Sequence, residues 1–385
     1  MKHILRVLIA PNAFKESLSA AEAARSIAAG IRQGIPDARI VKIPIADGGD
    51  GTLEVIIRGT QGKIYRAKVV DPLGKEISSS YGITGDKKTA VIEMSRASGL
   101  ALVPPLKRNP LLTSSYGTGQ LILAALCHQV EQIILAIGGS ATVDGGLGAL
   151  QALGAKFTDR KGNPIALGGR GLEQLDAIHL EDLHPALGRT RLLVACDVEN
   201  PLVGPHGAAA VFGPQKGATR PMVRQLERGL TKLAKKIHEL KMIDISWVPG
   251  AGAAGGISGS FLGLLEARLL PGSELVFELL KIEEVVKQVD LVITGEGKID
   301  FQTPAGKGPG MLAKLAHKHG VPLIAIAGSV SDDVRILHRH GFSALFSIVQ
   351  GPMDLQSAKL EAARLLRAKS EQVARLIQMT RGLCS

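Results

Sequence analysis

Short apolar runs, rich in β-branched residues, alternate with helix-length segments along nearly the whole chain. Runs of this kind are typical of parallel strands that are covered on both faces. The strands predicted in this way are Leu5–Ala10, Ile40–Ile45, Ala90–Met94, Gln132–Ile137, Arg191–Cys196, Asp290–Thr294, Pro322–Ala327 and Ala344–Val349. The predicted helices include Ala20–Arg32, Leu111–Cys127, Met222–Leu240, Gly310–His319 and Leu355–Met379. This alternation predicts an α/β fold built on parallel sheets.

The segment Val69–Thr89 has a different pattern, with short apolar stretches separated by turn sequences at residues 71–74 and 85–86. Such spacing predicts antiparallel strands. We interpret this segment as the entry to a second α/β domain that is inserted into the first. The predicted division gives residues 1–65 and 288–385 to one discontinuous domain and residues 66–287 to the inserted domain.

The segments that directly follow the predicted strands carry most of the candidate chemistry, because ligands of open parallel sheets bind beyond the carboxyl ends of the strands. Each of these segments contains an acid, three of them also contain two or more glycines, and three contain a hydroxyl group. They are Pro11–Ser17, Ala46–Thr52, Gly138–Gly146, Asp197–Pro201 and Gly295–Asp300.

The most specific of these segments contains Asp47 and Asp50, separated by two glycines, at the start of a predicted helix. Glycines let backbone N–H groups face an anion, and the carboxylates can hold Mg²⁺ or accept a hydroxyl proton. The alternative is an Asp-Gly turn in which Asp50 caps the helix. Because an Asp-Gly-Gly sequence recurs at Asp144, we favour the functional interpretation.

Two lysines precede predicted helices, whose N-termini bind anions through their backbone N–H groups. Lys15 comes together with Ser17, and Lys307 comes just before the helix that ends at His319; a simple helix cap is the alternative at both places. Asp197 and Asn200 follow an apolar strand. They suit contacts to a metal ion or a hydroxyl group, with an Asx-turn as the alternative.

The common nucleotide-binding signatures are missing or weak. Gly306-Lys307 lacks the Ser or Thr that follows in a P-loop, and the protein-kinase motifs do not occur. Gly250–Gly255 matches GxGxxG, but residues 243–248 make a poor parallel strand and no acid closes a second strand. We interpret this segment, with Gly252 inside it, as a loop whose backbone passes close to a ligand or a helix. A dinucleotide site is the alternative.

Composition limits the possible partners. Aromatic residues make up only 3% of the 385 residues, which argues against a single-stranded nucleic-acid binder. The net charge of +11 suits anionic small molecules, or solubility alone, since no dense basic run occurs. The cysteines form no CxxC pair, and no apolar stretch reaches the roughly 18 residues of a membrane span. We expect a cytoplasmic protein that acts on small molecules; the oligomeric state stays open.

Taken in order, these loops resemble those of the bacterial type 1 glycerate kinase family. The resemblance covers essentially the whole chain and rests on the collinear blocks Ala10–Ser19, Ile45–Thr52, Ile137–Gly146, Cys196–Leu202, Phe212–Gly217, Gly250–Gly256, Thr294–Asp300, Gln302–Thr303 and Gly306–Lys307. Asn12-Ala13 stands where the family often has Asp-Ser, and Asp50 stands where it often has Glu. Neither difference removes the set of acids.

The resemblance implies transfer of the γ-phosphoryl group of ATP to a hydroxyl of D-glycerate, usually the 2-hydroxyl, with the 3-hydroxyl as the alternative. It also implies a flavodoxin-like domain, made from both chain ends and interrupted by a second α/β domain. An NAD-dependent oxidoreductase and a non-catalytic protein that binds an anionic metabolite are the alternatives from other classes.

Phosphoryl transfer depends mainly on positioning and charge neutralisation, and the candidate residues are assigned on that basis. Asp197, Glu296 and Asp300 are the expected Mg²⁺ ligands, and Asp197 also counts as catalytic. Asp47 would accept the hydroxyl proton, with Asp50 as the alternative. Lys15 and Lys307 would offset anionic charge. The other candidate contacts to phosphate or substrate are Ser17, Gly48, Gly49, Gly138, Gly139, Ser140, Thr142, Asp144, Asn200 and Gly252.

Overall fold

The computed structural model describes residues 4–301, 303, 308–331 and 334–383, without the side chains at 334 and 381–383. The chain packs into two compact units. One combines Met1–Asp47 with Ser273–Ser385, and the other is Gly48–Gly272. Within the described ranges, no helix is long and apolar enough to cross a bilayer.

The strands in chain order are β1 (Arg6–Ile9), β2 (Arg39–Lys42), β3 (Lys63–Val70), β4 (Glu76–Ile83), β5 (Thr89–Glu93), β6 (Gln132–Ala136), β7 (Lys156–Thr158), β8 (Ala177–His179), β9 (Arg191–Ala195), β10 (Arg268–Leu270), β11 (Leu291–Thr294), β12 (Lys298–Ile299), β13 (Leu323–Ala327), β14 (Ser329–Val330) and β15 (Ala344–Ser347). The helices are α1 (Ala20–Gly34), α2 (Thr52–Gly59), α3 (Ser95–Ser98), α4 (Tyr116–Leu126), α5 (Leu147–Ala152), α6 (Ala208–Phe212), α7 (Arg220–Lys241), α8 (Ile257–Leu265), α9 (Gly272–Leu279), α10 (Ile282–Val286), α11 (Gly308–Lys318), α12 (Val334–Arg339), α13 (Leu355–Leu360) and α14 (Ala362–Leu383).

The discontinuous unit contains a five-stranded sheet in the order β15-β13-β11-β1-β2, in which every pair of neighbours is parallel. Counted from the first strand of this sheet, the order is 2-1-3-4-5, which is typical of flavodoxin-like folds. Helices α1 and α14 pack against the sheet, since Ile27 and Leu366 share one hydrophobic cluster with Val7 and Ile293. Because β1 and β11 are parallel neighbours in this sheet, their carboxyl ends lie side by side.

The continuous unit contains a six-stranded sheet in the order β10-β9-β6-β5-β4-β3. Strands β5, β6, β9 and β10 run parallel, whereas β4 is antiparallel to both β3 and β5. The antiparallel strands predicted within residues 69–89 are thus present. The predicted α/β class with parallel sheets is confirmed.

The helix bounds depart from the predicted ones in two places. Helix α4 starts at Tyr116 rather than near Leu111, because the Asn109 side chain accepts a hydrogen bond from the Leu111 amide (3.0 Å) and forms a turn there. The long helix predicted after residue 354 is divided into α13 and α14 at Glu361, whose φ and ψ angles of −94° and 3° are not helical.

The compact units also divide at other residues than the predicted domains. Helix α2 packs on β4 and β5, and a Cβ atom at Gly82 would lie 2.7 Å from Leu53, so α2 belongs to the continuous unit. Helix α10 packs on α11 and belongs to the discontinuous unit, where Lys318 donates to Glu283 at 2.9 Å. The packing of these two helices agrees with a division at 47/48 and 272/273, in place of the predicted 65/66 and 287/288.

Candidate active site

The loop with the two predicted acids joins one unit to the other, because Asp47 ends a segment of the first and Gly48 begins the second. Gly48 and Gly51 have φ angles of +85° and +92°, which favour glycine. Gly51 occupies the N-cap position of α2, and it has no side chain that could accept a hydrogen bond there. Asp50 instead accepts a hydrogen bond from the Ser95 hydroxyl at 2.9 Å. The interpretation of Asp50 as a helix cap is therefore wrong.

A buried acid that the sequence did not reveal fixes the start of α2. Glu93, at the end of β5, accepts from the Leu53 amide at 2.9 Å and from the Arg96 guanidinium at 2.5 Å. Arg96 also contacts Glu54 at 2.5 Å. Burial raises the pKa of Glu93 despite these donors. Its position within an apolar strand gives no sign of this role, since the role depends on α2 packing over the strand.

The exit from β6, residues Gly138–Thr142, which we name the β6 loop, runs beside the first glycine loop. A Cβ atom at Gly138 would lie 3.2 Å from the Gly49 Cα atom, and one at Gly139 would lie 3.7 Å from the Asp50 Oδ1 atom. Gly138 and Gly139 are both exposed. The structure thus brings four of the predicted residues together within one unit: two exposed glycines, Gly49 and a carboxylate.

The two hydroxyl residues of the β6 loop are turned inward. Ser140 is 7% exposed and Thr142 is 0% exposed. The Lys216 ammonium group donates to the Ser140 hydroxyl at 2.8 Å and to the Thr142 carbonyl at 2.7 Å. Neither hydroxyl is therefore accessible to a phosphate in this structure. Lys216 lies within a block that carries the family resemblance, but a single lysine between glycines gave no indication that it is buried.

Asp144 is completely buried, and it is occupied by hydrogen bonds from the surrounding backbone. Its carboxylate accepts from the amide and the hydroxyl of Ser115, each at 2.8 Å, and from the amides of Gly146 and Gly148 at 3.1 and 3.3 Å. Burial raises the pKa of this carboxyl. This geometry favours a structural role, in which Asp144 ties α5 to the start of α4, over the predicted contact to substrate.

We expect Asp144→Asn to destabilise the fold by about 2–4 kcal/mol, because an amide nitrogen would replace one acceptor and face buried N–H donors. Urea unfolding measures this difference. Asp159→Asn is the matched control: Asp159 also accepts from backbone amides, but in an exposed turn, so a loss under ~1 kcal/mol is expected there. Normal stability of Asp144→Asn together with weakened substrate binding would contradict the structural assignment.

The exit from β9 places Asp197 beside the first glycine loop. Asp197 accepts from the Gly272 amide at 2.9 Å, and a Cβ atom at Gly48 would lie 3.5 Å from its Oδ2 atom. The Asp197 side chain is exposed and lies within the same cluster. Asn200 donates to the His206 carbonyl at 2.8 Å, so its amide holds the loop after β9 in place.

The glycine loop Gly250–Gly255 does not follow a strand, since residues 243–248 contain no regular strand. The Gly252 amide donates to the Asn200 carbonyl at 3.0 Å, and the Gly255 carbonyl accepts from the Gly145 amide at 2.9 Å. Both glycines are buried. The loop therefore packs its backbone against two other loops of the same unit, and the dinucleotide interpretation is not supported.

In the discontinuous unit, the exits from β1 and β11 lie together. The Asn12 amide donates to the Gly295 carbonyl at 2.8 Å. The Thr303 hydroxyl donates to Glu296 at 3.3 Å and accepts from the Asp300 amide at 3.1 Å. Two of the three predicted metal-binding acids, Glu296 and Asp300, thus lie on one short loop that Thr303 links internally. Lys298 also pairs with Asp300 at 3.1 Å.

The β1 exit presents Lys15 at the surface, where it is exposed. Ser17 donates its hydroxyl to the Lys359 carbonyl at 2.7 Å, which occupies the group that was predicted to bind phosphate. Ser19, not Ser17, caps α1 through a reciprocal pair of hydrogen bonds with Glu22. Lys307 lies outside the described residues.

Among the described residues, no three His, Cys, Asp or Glu side chains lie close enough together to form a metal site. This does not argue against a magnesium nucleotide, because Mg²⁺ that accompanies phosphates usually takes only one or two protein carboxylates. The acids at residues 296 and 300 provide that number on one loop.

The doubly wound sheet and the acidic glycine loops at strand ends are typical of α/β proteins whose ligands bind beyond the carboxyl ends of the strands. A sequence model described as the glycerate kinase family matches residues 7–378. The chain therefore belongs to the glycerate kinase family, and the resemblance stated above is confirmed.

Individual relatives agree with this assignment. A glycerate 2-kinase of Escherichia coli K12 is 50% identical over 90% of this chain and 91% of its own length. A glycerate kinase of Halalkalibacterium halodurans is 49% identical over 96% of this chain and 97% of its own. A crystal structure from Salmonella typhimurium LT2, described as a glycerate kinase 2, matches with a TM-score of 0.90 and 44% identity, covering 99% of this chain and 100% of that one.

Proposed function

We propose that the chain transfers the γ-phosphoryl group of ATP to the 2-hydroxyl of D-glycerate, yielding 2-phosphoglycerate and ADP. The observation that carries the proposal is the adjacency of exposed Gly138 and Gly139 to Gly49 and to the Asp50 carboxylate. Backbone at such glycines can approach phosphate oxygens closely, next to an acid that can contact a hydroxyl group. The choice of the 2-hydroxyl is supported by the Escherichia coli relative, which is named a glycerate 2-kinase.

The acids divide into two proposed roles. Glu296 and Asp300 would share a Mg²⁺ ion with the nucleotide phosphates, and Asp197 is the further candidate ligand. Because Thr303 already orders the loop that carries the first two, little rearrangement would be needed there. Mg²⁺ would neutralise charge on the transferred group.

Asp47 would accept the proton of the attacking hydroxyl group. Asp47 is half-buried, whereas the alternative base, Asp50, is exposed and hydrogen-bonded to Ser95. Asp47 is partly shielded from water and, among the described residues, accepts no hydrogen bond from a side-chain hydroxyl, which makes it the better candidate acceptor. Lys15 would offset the charge of a phosphate or of the glycerate carboxylate. The three separated cysteines fit a reducing compartment, and we place the enzyme in the cytoplasm.

A coupled assay of ADP release tests this function. We expect release to require ATP, MgCl₂ and D-glycerate together, and to stop when EDTA removes the metal. L-Glycerate serves as the matched acceptor control, because it differs only in configuration at the carbon that bears the reacting hydroxyl. ADP release that does not depend on any acceptor, or that is missing with D-glycerate, would contradict the proposal.

A further inference from the structure

Lys216 is a buried lysine that none of the proposed roles uses. It lies at the end of a short 3-10 turn, Pro214–Lys216, and is 2% exposed. Removing an ammonium group from water is costly, so a buried lysine is rare and normally has hydrogen-bond partners. Within the described part of the chain, its side-chain nitrogen makes two hydrogen bonds, and both go to the β6 loop: one to the Ser140 hydroxyl and one to the Thr142 carbonyl.

The turn that carries Lys216 is itself held by backbone contacts. The Lys216 amide donates to the Gly213 carbonyl at 3.0 Å. Gly217 follows with a φ angle of +91°, and a Cβ atom there would lie 2.3 Å from the Arg108 carbonyl oxygen. This close approach fixes the backbone on one side of the lysine. The Lys216 side chain therefore extends to the β6 loop from a turn whose backbone is in close contact with its neighbours.

The opposite side of the β6 loop is held by backbone hydrogen bonds. The Gly139 carbonyl accepts from the Leu100 amide at 2.8 Å, and the Ala141 amide donates to the Ser98 carbonyl at 2.9 Å. Lys216 supplies the matching restraint from the interior. Between these restraints only Gly138 and Gly139 are exposed, which leaves their backbone facing outward in a defined conformation.

We propose that Lys216 is a positioning residue for phosphoryl transfer: its hydrogen bonds to Ser140 and Thr142 hold the β6 loop in the shape in which Gly138 and Gly139 contact a phosphate group. This inference rests on the proposed function, since it assigns the phosphate to the same loop. Lys216 is too deeply buried to touch the ligand and acts through the loop. Misplacing reacting groups by about 1 Å is enough to lower a rate by ~100-fold.

The lowered pKa of the Lys216 amino group agrees with its buried position. Burial lowers its pKa from 10.5 to about 7, and the Asp144 carboxylate opposes part of that shift. The unfolded chain would therefore bind a proton that the folded chain lacks between roughly pH 7 and pH 10, so the contribution of Lys216 to stability should improve as the pH rises through that window.

The kinetic test compares Lys216→Met, Ser140→Ala and the double variant with the wild type. We expect kcat with ATP and D-glycerate to fall by ~100-fold in Lys216→Met and by about 10-fold in Ser140→Ala. The double variant should be no worse than Lys216→Met, because both changes act on the same restraint. Lys241→Met, at the exposed last residue of α7, is the control and should retain wild-type turnover.

Several results would overturn the inference. Turnover of Lys216→Met within about 2-fold of the wild type would do so, as would additive losses in the double variant. If Lys216→Met does not fold, Ser140→Ala becomes the test, because this variant keeps the lysine. Unchanged turnover of Ser140→Ala would contradict the positioning role of Lys216. A loss of turnover by about 10-fold, at about the wild-type urea midpoint, would support it. A wild-type enzyme that does not phosphorylate D-glycerate would instead refute the proposed function.

A second measurement needs no activity. As the pH rises from about 6.5 to about 9, the urea midpoint of the wild type should increase relative to that of Lys216→Met. A difference that stays constant would contradict the buried position of the ammonium group on which the inference depends.

Discussion

Asp47→Asn is expected to reduce kcat for D-glycerate phosphorylation by about 10²–10⁴-fold, the usual contribution of a general base. The KM values for ATP and D-glycerate should change little, because the amide keeps the size and much of the hydrogen-bonding capacity of the carboxylate. Steady-state kinetics with the ADP-release assay measure both parameters. Asp37→Asn makes the same chemical change at an exposed position of the same unit and should have no effect.

The two neighbouring acids can be separated by the same experiment. If Asp50 is the base, Asp50→Asn will show the large loss and Asp47→Asn will not. Near-normal turnover of Asp47→Asn would exclude Asp47 as the proton acceptor. A loss in Asp50→Asn that is matched by Ser95→Ala would indicate that the hydrogen bond between the two residues positions the loop.

Gly252→Ala is expected to destabilise the protein by about 3 kcal/mol, since overpacking against rigid backbone is among the strongly destabilising changes. A Cβ atom at this position would lie 2.1 Å from the Pro201 carbonyl oxygen, and backbone cannot move aside as a flexible side chain can. Urea unfolding monitored by circular dichroism gives the change in the free energy of unfolding.

Gly188→Ala provides the control for this change. A Cβ atom at Gly188 would meet no described atom within 4 Å, so its effect should stay within about 0.5 kcal/mol of zero. If Gly252→Ala is as stable as the wild type but binds substrate more weakly, the loop contacts the ligand as well as the neighbouring backbone. That outcome would favour the original prediction of Gly252 as a binding residue.

The main strands could be predicted because their sequences are unambiguous. Segments such as 133–137 and 192–196 are apolar throughout, which is typical of a strand that is buried on both faces. The positions of the acidic glycine loops followed from the same strands. The order of the strands in the sheets, by contrast, came only from the structure and from the family resemblance.

The individual roles were harder to predict, because they depend on burial. Asp144 and Asp50 both stand in an Asp-Gly sequence, yet Asp144 is completely buried and Asp50 is exposed. Sequence spacing cannot separate these cases, since burial depends on which loops meet in three dimensions. The same reason hides Lys216 and Glu93, whose partners are distant in the chain. The division between units was displaced for a similar reason, because α2 packs on strands that follow it.

Identification of the product tests the proposed phosphoryl transfer to D-glycerate directly. Purified enzyme is incubated with ATP, MgCl₂ and D-glycerate, and the product is examined by phosphorus and proton NMR. The coupling of the phosphorus nucleus to the single proton on carbon 2 identifies 2-phosphoglycerate, which is the predicted product. Two results would contradict phosphorylation of the 2-hydroxyl. One is coupling to the two protons on carbon 3, which identifies 3-phosphoglycerate, and the other is the lack of any phosphoglycerate.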